Sequence, residues 1–175
     1  LKLRQQMQVE LKSIQQRVGI TFIFVSFFNY QALTMSDRIA VFSQGKIEQV
    51  GSLSEVYEKL ASPFGAGCVG RSNLVCGEVA KRITGSEKMF SIRPEKIHLG
   101  TENSSLNEGM LSIDGVVRDV VYLGLFTRYL VEIEGGNDLV VVEQNLKTTS
   151  MDVLSAKGQK VRLQWHKDHM SLVGG

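Results

Sequence analysis

The hydrophobic pattern of the chain changes at about residue 72, and this change constrains the fold more than any other feature. Before it, apolar residues follow the 3.6-residue period of a helix and then form a continuous apolar run. After it, short stretches of alternating apolar and polar residues are separated by Gly, Asn and Asp. The sequence therefore predicts an α/β part over residues 1–72 and an all-β part over residues 73–175.

The first part begins with an amphipathic helix from Leu3 to Val18, and Gly19 is its predicted C-cap. The run from Ile20 to Val25 is apolar, aromatic and β-branched, which is typical of a strand buried on both faces of a parallel sheet. Arg38 to Phe42 is predicted to be the second such strand. The remaining predicted elements are a short helix over residues 29–36, a turn at Gln44-Gly45, a strand over residues 46–50 and a helix over about residues 54–60 capped by Ser52 or Ser54.

The second part predicts a series of short strands, which suits a small barrel or a sandwich. Glu134-Gly-Gly-Asn-Asp138 has the composition of a hairpin connection between two of them. The predicted strands are Leu74–Ala80, Met89–Arg93, Leu111–Tyr122, Thr127–Ile133, Leu139–Glu143, Lys160–Trp165 and His169–Leu172.

The composition is that of an ordinary folded chain and excludes several classes of protein. Hydrophobic residues make up 43% and charged residues 22% of the 175 residues, and the formal net charge is +2. Because Lys and Arg form no dense cluster, nucleic acid is not an expected partner. The longest apolar stretch, Ile20 to Phe28, is shorter than the roughly 18 residues of a membrane-spanning helix. Cys68 and Cys76 form no disulfide framework or metal-binding pattern, which favours a reducing cytoplasm.

Few residues have the spacing of a catalytic or metal site. His166 and His169 could bind a metal as a helical pair, but their segment is predicted to be a turn between strands and offers no third ligand. His98 stands alone beside a predicted strand. The sequence shows no nucleophile motif, and it does not pair any of the candidate carboxylates, which are Glu143, Asp152 and Asp168.

Two further patterns suggest ligand binding. Residues Gly65 to Gly70 match G-x-G-x-x-G, but a helix and Pro63 precede them where a phosphate-binding loop requires a buried strand, so they are interpreted as a connector. Four aromatic residues of the second part could stack on bases or sugars, although such residues usually fill the core of a β-rich domain. They are Trp165, Tyr122, Phe126 and Tyr129.

Several blocks of the chain, taken together, resemble the end of an ABC-transporter ATPase domain and the domain that follows it. The most specific block extends from Ala32 to Gly51 and includes Ala32-Leu-Thr-Met-Ser-Asp-Arg-Ile-Ala-Val-Phe42. Three blocks of the second part resemble the OB-like TOBE domain of importer ATPases of the polyamine, sugar and iron group, and most of all the spermidine/putrescine type. They are Gly70-Arg-Ser-Asn73, Ser91-Ile-Arg-Pro-Glu95 and Val117-Arg-Asp-Val-Val-Tyr-Leu-Gly124.

This resemblance implies both a fold and a function. It implies an α/β fragment, the end of an ABC ATPase domain, over residues 1–72, followed by an all-β OB-like barrel (TOBE) with a regulatory role over residues 73–175. In this family the phosphate loop, the signature sequence and the catalytic glutamate lie upstream of a helix like the first one here. Full-length members use ATP and Mg²⁺, whereas this chain alone is expected to bind neither and to hydrolyse nothing. It begins in a helical pattern without Met, as expected of a piece of a longer protein.

The resemblance also reveals one departure from the family pattern. Where the family reads Val-Thr-His-Asp-Gln-Glu-Glu-Ala-Leu, this chain reads Val25-Ser-Phe-Phe-Asn-Tyr-Gln-Ala-Leu33, so that Phe27 occupies the position of the switch histidine. A phenyl ring cannot form a hydrogen bond to a phosphate or to the attacking water. The resemblance therefore implies weakened hydrolysis at this site, and no other catalytic, cofactor-binding or metal-binding residue is assigned.

The family's partners are membrane (permease) subunits, which implies a peripheral position on the cytoplasmic side of the inner membrane. A homodimer is also expected, formed through the C-terminal barrel or through exposed sheet edges of the first part. Two other functions stay open at this point. One is an independent OB-like module that binds oligonucleotides or sugars, and the other is a dinucleotide-dependent enzyme built on Gly65 to Gly70.

Overall fold

A computed structural model describes residues 2–26, 35–59, 62, 70–100, 107–146 and 149–174 of the chain. Its helices are α1 (Lys2–Val18), α2 (Leu53–Glu58), α3 (Gly77–Thr84) and α4 (Ser150–Leu154). Its strands are β1 (Ile39–Ser43), β2 (Lys46–Gly51), β3 (Asn73–Val75), β4 (Phe90–Ile92), β5 (His98–Gly100), β6 (Met110–Tyr122), β7 (Phe126–Ile133), β8 (Asp138–Gln144), β9 (Lys160–His166) and β10 (Met170–Leu172).

Helix α1 confirms the prediction made from the apolar period. It ends where Gly19 adopts a φ of 69°, a left-handed conformation that glycine adopts without strain, and the Gly19 N–H donates to the carbonyl of Gln15 at 2.9 Å. The side-chain amide of Gln15 in turn donates to the carbonyl of Ile20 at 2.8 Å. Among the described helices, α1 included, none is long and apolar enough to cross a membrane.

The prediction of buried parallel strands in the first part is wrong. Residues Ile20 to Val25 form no strand and are exposed, and β1, which covers most of the predicted strand Arg38–Phe42, pairs with β2 in an antiparallel hairpin. A strand buried on both faces needs neighbouring strands and layers, and no described strand pairs with Ile20–Val25. Of the short helix predicted over residues 29–36, all but the last two residues lie outside the described residues.

The turn at Gln44-Gly45, the strand that follows it and α2 form as predicted, with local causes visible in the sequence. Gln44 and Gly45 adopt φ values of 47° and 79°, which the tight turn between the strands requires. Ser52 is the N-cap of α2, because its hydroxyl accepts the N–H of Glu55 while the Glu55 carboxylate accepts the N–H of Ser52 at 2.8 Å. The bond from the Ser52 N–H, and then a second bond in which the Ser52 hydroxyl donates to Glu55 Oε2 at 2.8 Å, lower the pKa of Glu55.

The second part consists of a five-stranded sheet in the order β5-β9-β6-β7-β8 and a three-stranded sheet in the order β10-β4-β3, both antiparallel. The predicted hairpin at Glu134–Asp138 joins β7 to β8. The predicted barrel is not closed, because no strand pairing joins the edge strands β5 and β8 within the described residues. A side chain makes the connection instead: the Leu99 N–H donates to Glu143 Oε1 at 2.9 Å.

One predicted strand of this part is only partly correct, and a further strand and a further helix were not predicted. Only the start of Leu74–Ala80 is a strand, and the rest belongs to α3, in which Val79, Ala80 and the half-buried Ile83 face the core. The steps of one and three residues between Val79, Ala80 and Ile83 place them on one face of a helix. Gly85, at a φ of 79°, ends this helix. The unpredicted elements are β5 and α4, whose cap Thr149 forms a capping box with Asp152.

The two parts have separate hydrophobic cores. The β-rich part packs Trp165, Phe90 and Leu163 together with the inward-facing residues of β6, β7 and β8. The first part has a much smaller cluster of Val41 and Val56, against which Ile39 and Tyr57 pack. No described buried residue belongs to both clusters.

Candidate functional site

The first feature is the apolar face of the N-terminal segment. We use this name for α1 and residues 20–25 together. Its apolar side chains are largely exposed: Leu3 is 71%, Ile23 91% and Val25 84% accessible to solvent. A concentration of exposed apolar side chains is typical of a surface that contacts another molecule. The other exposed apolar residues of the segment are Met7, Val9, Leu11, Ile14, Val18, Ile20, Phe22 and Phe24.

The second feature is a polar junction between α2 and the β-rich part, centred on Arg93. Arg93 follows β4 directly and is buried, with 6% of its surface exposed. Its guanidinium lies 3.8 Å from the centre of the Tyr57 ring, and its Nε donates to the Tyr57 carbonyl at 3.1 Å. A terminal nitrogen of the same guanidinium donates to that carbonyl as well. One side chain thus binds both the ring and the backbone of Tyr57.

Two more hydrogen bonds complete the junction. The Tyr57 hydroxyl donates to Glu95 Oε1 at 2.8 Å, and the Ser171 hydroxyl donates to the Glu58 carbonyl at 2.5 Å. Burial, and then the bond to Glu95, raises the pKa of Tyr57, while burial lowers the pKa of Arg93. The N-terminal end of α2 lies beside a cavity of about 570 Å³ lined by Asp37, Ser52, Leu53, Ser54 and Tyr57.

A third feature is the turn between β6 and β7, which exposes apolar side chains. Leu123 is 51% and Leu125 77% exposed. Asn145 fixes this turn: its Nδ2 donates to the Gly124 carbonyl at 2.8 Å and its N–H donates to the Leu125 carbonyl at 2.9 Å. The Thr127 hydroxyl, which is fully buried, donates to Asn145 Oδ1 at 2.7 Å. The apolar turn is therefore held rigidly by polar contacts.

The four candidate aromatic residues do not form one binding face. Trp165 and Tyr129 are buried in the core, with 1% and 7% of their surface exposed, as is usual for β-rich domains. Burial is the main cause that raises the pKa of Tyr129, and the nearby Glu143 carboxylate adds to it. Tyr122 and Phe126 are partly exposed at the β6–β7 turn.

The histidines lie close together at one end of the five-stranded sheet. The turn predicted between two strands at His166–His169 is confirmed as a single 3₁₀ turn between β9 and β10, and the two rings are 6.0 Å apart. Nδ1 of His166 lies 3.3 Å from Asp168 Oδ2. Burial is the largest cause that lowers the pKa of His169, followed by the charge of Lys96 and then by His166. Across the described ranges, no group of three or more His, Cys, Asp or Glu side chains could hold a metal ion.

The candidate carboxylates occupy separate places. Glu143 accepts the Leu99 N–H, Asp152 completes the capping box of α4, and Asp168 lies beside His166. The hydroxyl and then the N–H of Thr149 lower the pKa of Asp152.

Several other candidates lie wholly or partly outside the described residues. They are Phe27, Cys68 and all of Gly65 to Gly70 except Gly70 itself. Cys76 is described: it is exposed, is not in a disulfide and immediately precedes α3.

Sequence reasoning did not assign roles to the residues of the junction. Arg93 and Glu95 lie in the block Ser91-Ile-Arg-Pro-Glu95, whose pattern indicated only a resemblance to the TOBE domain. An arginine within a strand-like apolar stretch was an available signal, because a charged side chain is buried only when it is paired or hydrogen-bonded. Its partner, the carbonyl at the end of a helix 36 residues earlier, leaves no trace in the sequence.

Comparison with known proteins identifies the class to which the chain belongs. Residues 90–173 match the TOBE domain family. The chain is 42% identical over 170 residues to the uncharacterized ABC transporter ATP-binding protein YdcT of Escherichia coli (strain K12), covering 97% of this chain and 49% of that protein. It is 40% identical over 198 residues to the spermidine/putrescine import ATP-binding protein PotA of Thermobifida fusca (strain YX), covering 100% of this chain and 50% of the relative.

Two further matches complete the comparison. The PotA protein of Acidothermus cellulolyticus (strain ATCC 43068 / DSM 8971 / 11B) is 39% identical over 97% of this chain and 49% of its own length. A solved structure of the cytoplasmic molybdate-binding protein ModG with molybdate bound overlaps 53% of this chain and 67% of its own, at a TM-score of 0.40 and 14% identity. An overlap of that size says nothing about function.

The chain therefore belongs to the ATP-binding subunits of ABC transporters that carry a TOBE domain, and its sequence corresponds to the C-terminal half of such a subunit. It spans about half the length of the curated relatives it matches. The resemblance stated from the sequence is thus confirmed at the level of the family.

Proposed function

We propose that this chain acts as the C-terminal half of the ATP-binding subunit of a polyamine importer. The observation that carries the proposal is the apolar face of the N-terminal segment. Its exposed side chains need a protein surface to cover them, and the relatives possess a further half that this chain does not match. In this proposal the N-terminal half of an ATPase domain packs against α1 and residues 20–25.

Spermidine or putrescine is the proposed solute, because two spermidine/putrescine import proteins PotA match the chain at 40% and 39% identity. The β-rich part is the regulatory domain of the subunit. Its partners are the permease subunits, at the cytoplasmic face of the membrane, and a second copy of the chain. The apolar β6–β7 turn offers a surface for that second copy, because Leu123 and Leu125 are exposed and carry no charge that would repel an identical patch.

ATP and Mg²⁺ belong to the complete subunit in this proposal. Across the part of the chain that the structure describes, no group of three or more His, Cys, Asp or Glu side chains could hold a metal ion. The proposed role of these residues is to complete the ATPase domain and to regulate it.

A chimera tests this proposal. The N-terminal half of PotA from Thermobifida fusca is joined to residues 1–175, and ATP turnover is compared with that of the chain alone. We expect turnover by the chimera and none by the chain, and a chimera with its P-loop lysine replaced by alanine serves as the control for contaminating ATPases. Turnover by the isolated chain, or a folded chimera that does not bind ATP, would contradict the proposal.

Uptake of labelled spermidine tests whether a polyamine is the solute. The cells carry the chimera together with the permease subunits that PotA works with. We expect uptake above that of cells carrying the P-loop control. A chimera that hydrolyses ATP with these permease subunits but supports no spermidine uptake would contradict polyamine as the solute.

A further inference from the structure

The β1–β2 hairpin and α2 are joined to the β-rich part by polar contacts rather than by a shared core. The hairpin unit, by which we mean residues 39–59, has its own apolar cluster around Val41 and Val56. The β-rich part has a separate and much larger core, and no described buried residue belongs to both. A polar interface between two separately packed units permits relative motion, whereas a continuous apolar core does not.

The contacts between the two units converge on the last turn of α2. Arg93 donates to the Tyr57 carbonyl and Ser171 donates to the Glu58 carbonyl. The last carbonyls of a helix have no partner within the helix, so these two side chains supply the missing donors. A third bond has its donor on the hairpin unit: the Tyr57 hydroxyl donates to Glu95 of the β-rich part.

Arg93 supplies two hydrogen bonds and one ring contact to this attachment. It is the one residue of the group that is both charged and buried, and its guanidinium binds the Tyr57 carbonyl and stacks on the Tyr57 ring. A buried guanidinium is stable only while its hydrogen bonds are satisfied, so partial loosening of the contact is unfavourable. Full separation exposes the guanidinium to water and restores its hydration. The contact therefore favours two states, closed or open, over intermediate ones.

We propose that Arg93, together with Glu95 and Ser171, is a releasable latch that holds the end of α2 against the β-rich part. When the latch opens, the hairpin unit moves as one body while the β-rich part stays folded. The latch stands on the contacts of this chain alone. Only its use, which is to link movements of the ATPase domain to the TOBE domain, rests on the proposed function.

Hydrogen exchange on the chain tests the latch. In Arg93→Met the volume is largely kept and the donors are lost, and we expect amide exchange in residues 39–59 to become about tenfold faster while β6, β7 and β9 keep their protection. Arg118→Met is the matched control, because Arg118 lies exposed on β6 and pairs with Glu132 and Asp138. We expect it to leave exchange in residues 39–59 unchanged.

Two outcomes would overturn the latch. The first is unchanged exchange in residues 39–59 of Arg93→Met, and the second is an equal rise throughout the β-rich part, which would mean that Arg93 only supports that fold. If Arg93→Met does not fold, the double variant Tyr57→Phe with Ser171→Ala decides between the same outcomes. Because no nucleotide is present, the result is independent of whether the proposed ATPase function holds.

Discussion

The side-chain amide of Asn73 pairs with the backbone of Val140 as a residue of a neighbouring strand would. Its Nδ2 donates to the Val140 carbonyl at 2.8 Å, and its Oδ1 accepts the Val140 N–H at 2.7 Å. Asn73 begins β3 in the three-stranded sheet, whereas Val140 lies in β8, the edge strand of the five-stranded sheet. One side chain thus joins the two sheets and covers part of an open strand edge.

Replacing Asn73 with leucine tests this connection. Asn73→Leu keeps the approximate volume but leaves both backbone groups of Val140 without this partner, and we expect a loss of about 2 kcal/mol in the free energy of unfolding. Urea denaturation followed by tryptophan fluorescence measures it, because Trp165 is in the core. The exposed Asn107 provides the control: Asn107→Leu should lie within about 0.5 kcal/mol of the parent. Equal stabilities for the two variants would contradict the assigned role.

At Gly115 the close approach of β6 and β7 leaves no room for a side chain. A Cβ at this position would lie 2.7 Å from the Glu132 carbonyl oxygen and 2.8 Å from Val131 Cγ1. We therefore expect Gly115→Ala to lower the free energy of unfolding by about 1–3 kcal/mol, because the strands must separate locally. Ser112→Ala on the same strand is the control in the same denaturation experiment. A Gly115→Ala variant as stable as the control would show that the strands adjust freely.

We expect His169 to make the stability of the chain depend on pH. Burial lowers its pKa from the ordinary value of 6.5, and the charges of Lys96, His166 and His98 lower it further. The carboxylate of Asp168 has the opposite effect and raises the pKa. The folded chain therefore disfavours the imidazolium. Its contribution to stability is fully present above the unfolded pKa and is lost as the pH falls through the lower folded pKa.

The variant His169→Gln should remove this dependence. The urea midpoint of the parent is expected to fall more between pH 7.5 and pH 5 than that of His169→Gln, since only the parent takes up a proton at this position on unfolding. Lys88→Gln, an exposed substitution, should follow the parent. If parent and His169→Gln lose the same amount, the group does not titrate as described.

Phe27 leads to a prediction for the complete subunit. The resemblance to the ABC-transporter ATPases implies that Phe27 stands where the family has a histidine able to form hydrogen bonds to phosphate or water. We expect Phe27→His in the chimera with the N-terminal half of PotA to raise ATP turnover, because one hydrogen bond to the reacting groups is worth an order of magnitude or more in rate. Phe28→His is the neighbouring control and should not raise turnover. Equal turnover for the parent chimera and Phe27→His would contradict the prediction.

The sequence predicted local elements well where their signals were local. The period of α1, the turn at Gln44-Gly45 and the hairpin at Glu134–Asp138 all depend on residues near one another, and the structure has all three. The buried strand at Ile20–Val25 was wrong because an apolar run indicates burial only when neighbouring strands and layers cover it.

The contacts between sheets and units could not be predicted. The bonds from Asn73 to Val140 and from Arg93 to Tyr57 join residues 67 and 36 positions apart, and polar pairs at such separations have no periodic signature. The helix α3 could have been found, since its apolar residues are spaced for a helix and a glycine follows its end. The β-branched residues Val75 and Val79 instead favoured a longer strand.

In the proposed function, the apolar face of the N-terminal segment receives the other half of an ATPase domain. Hydrogen exchange in α1 and residues 20–25, measured with and without the separately purified N-terminal half of PotA from Thermobifida fusca, detects this contact. We expect the added half to protect these amides and the mixture to hydrolyse ATP, while β6–β9 exchange as before. Unchanged exchange in α1 and residues 20–25, with the added half shown to be folded, would contradict it.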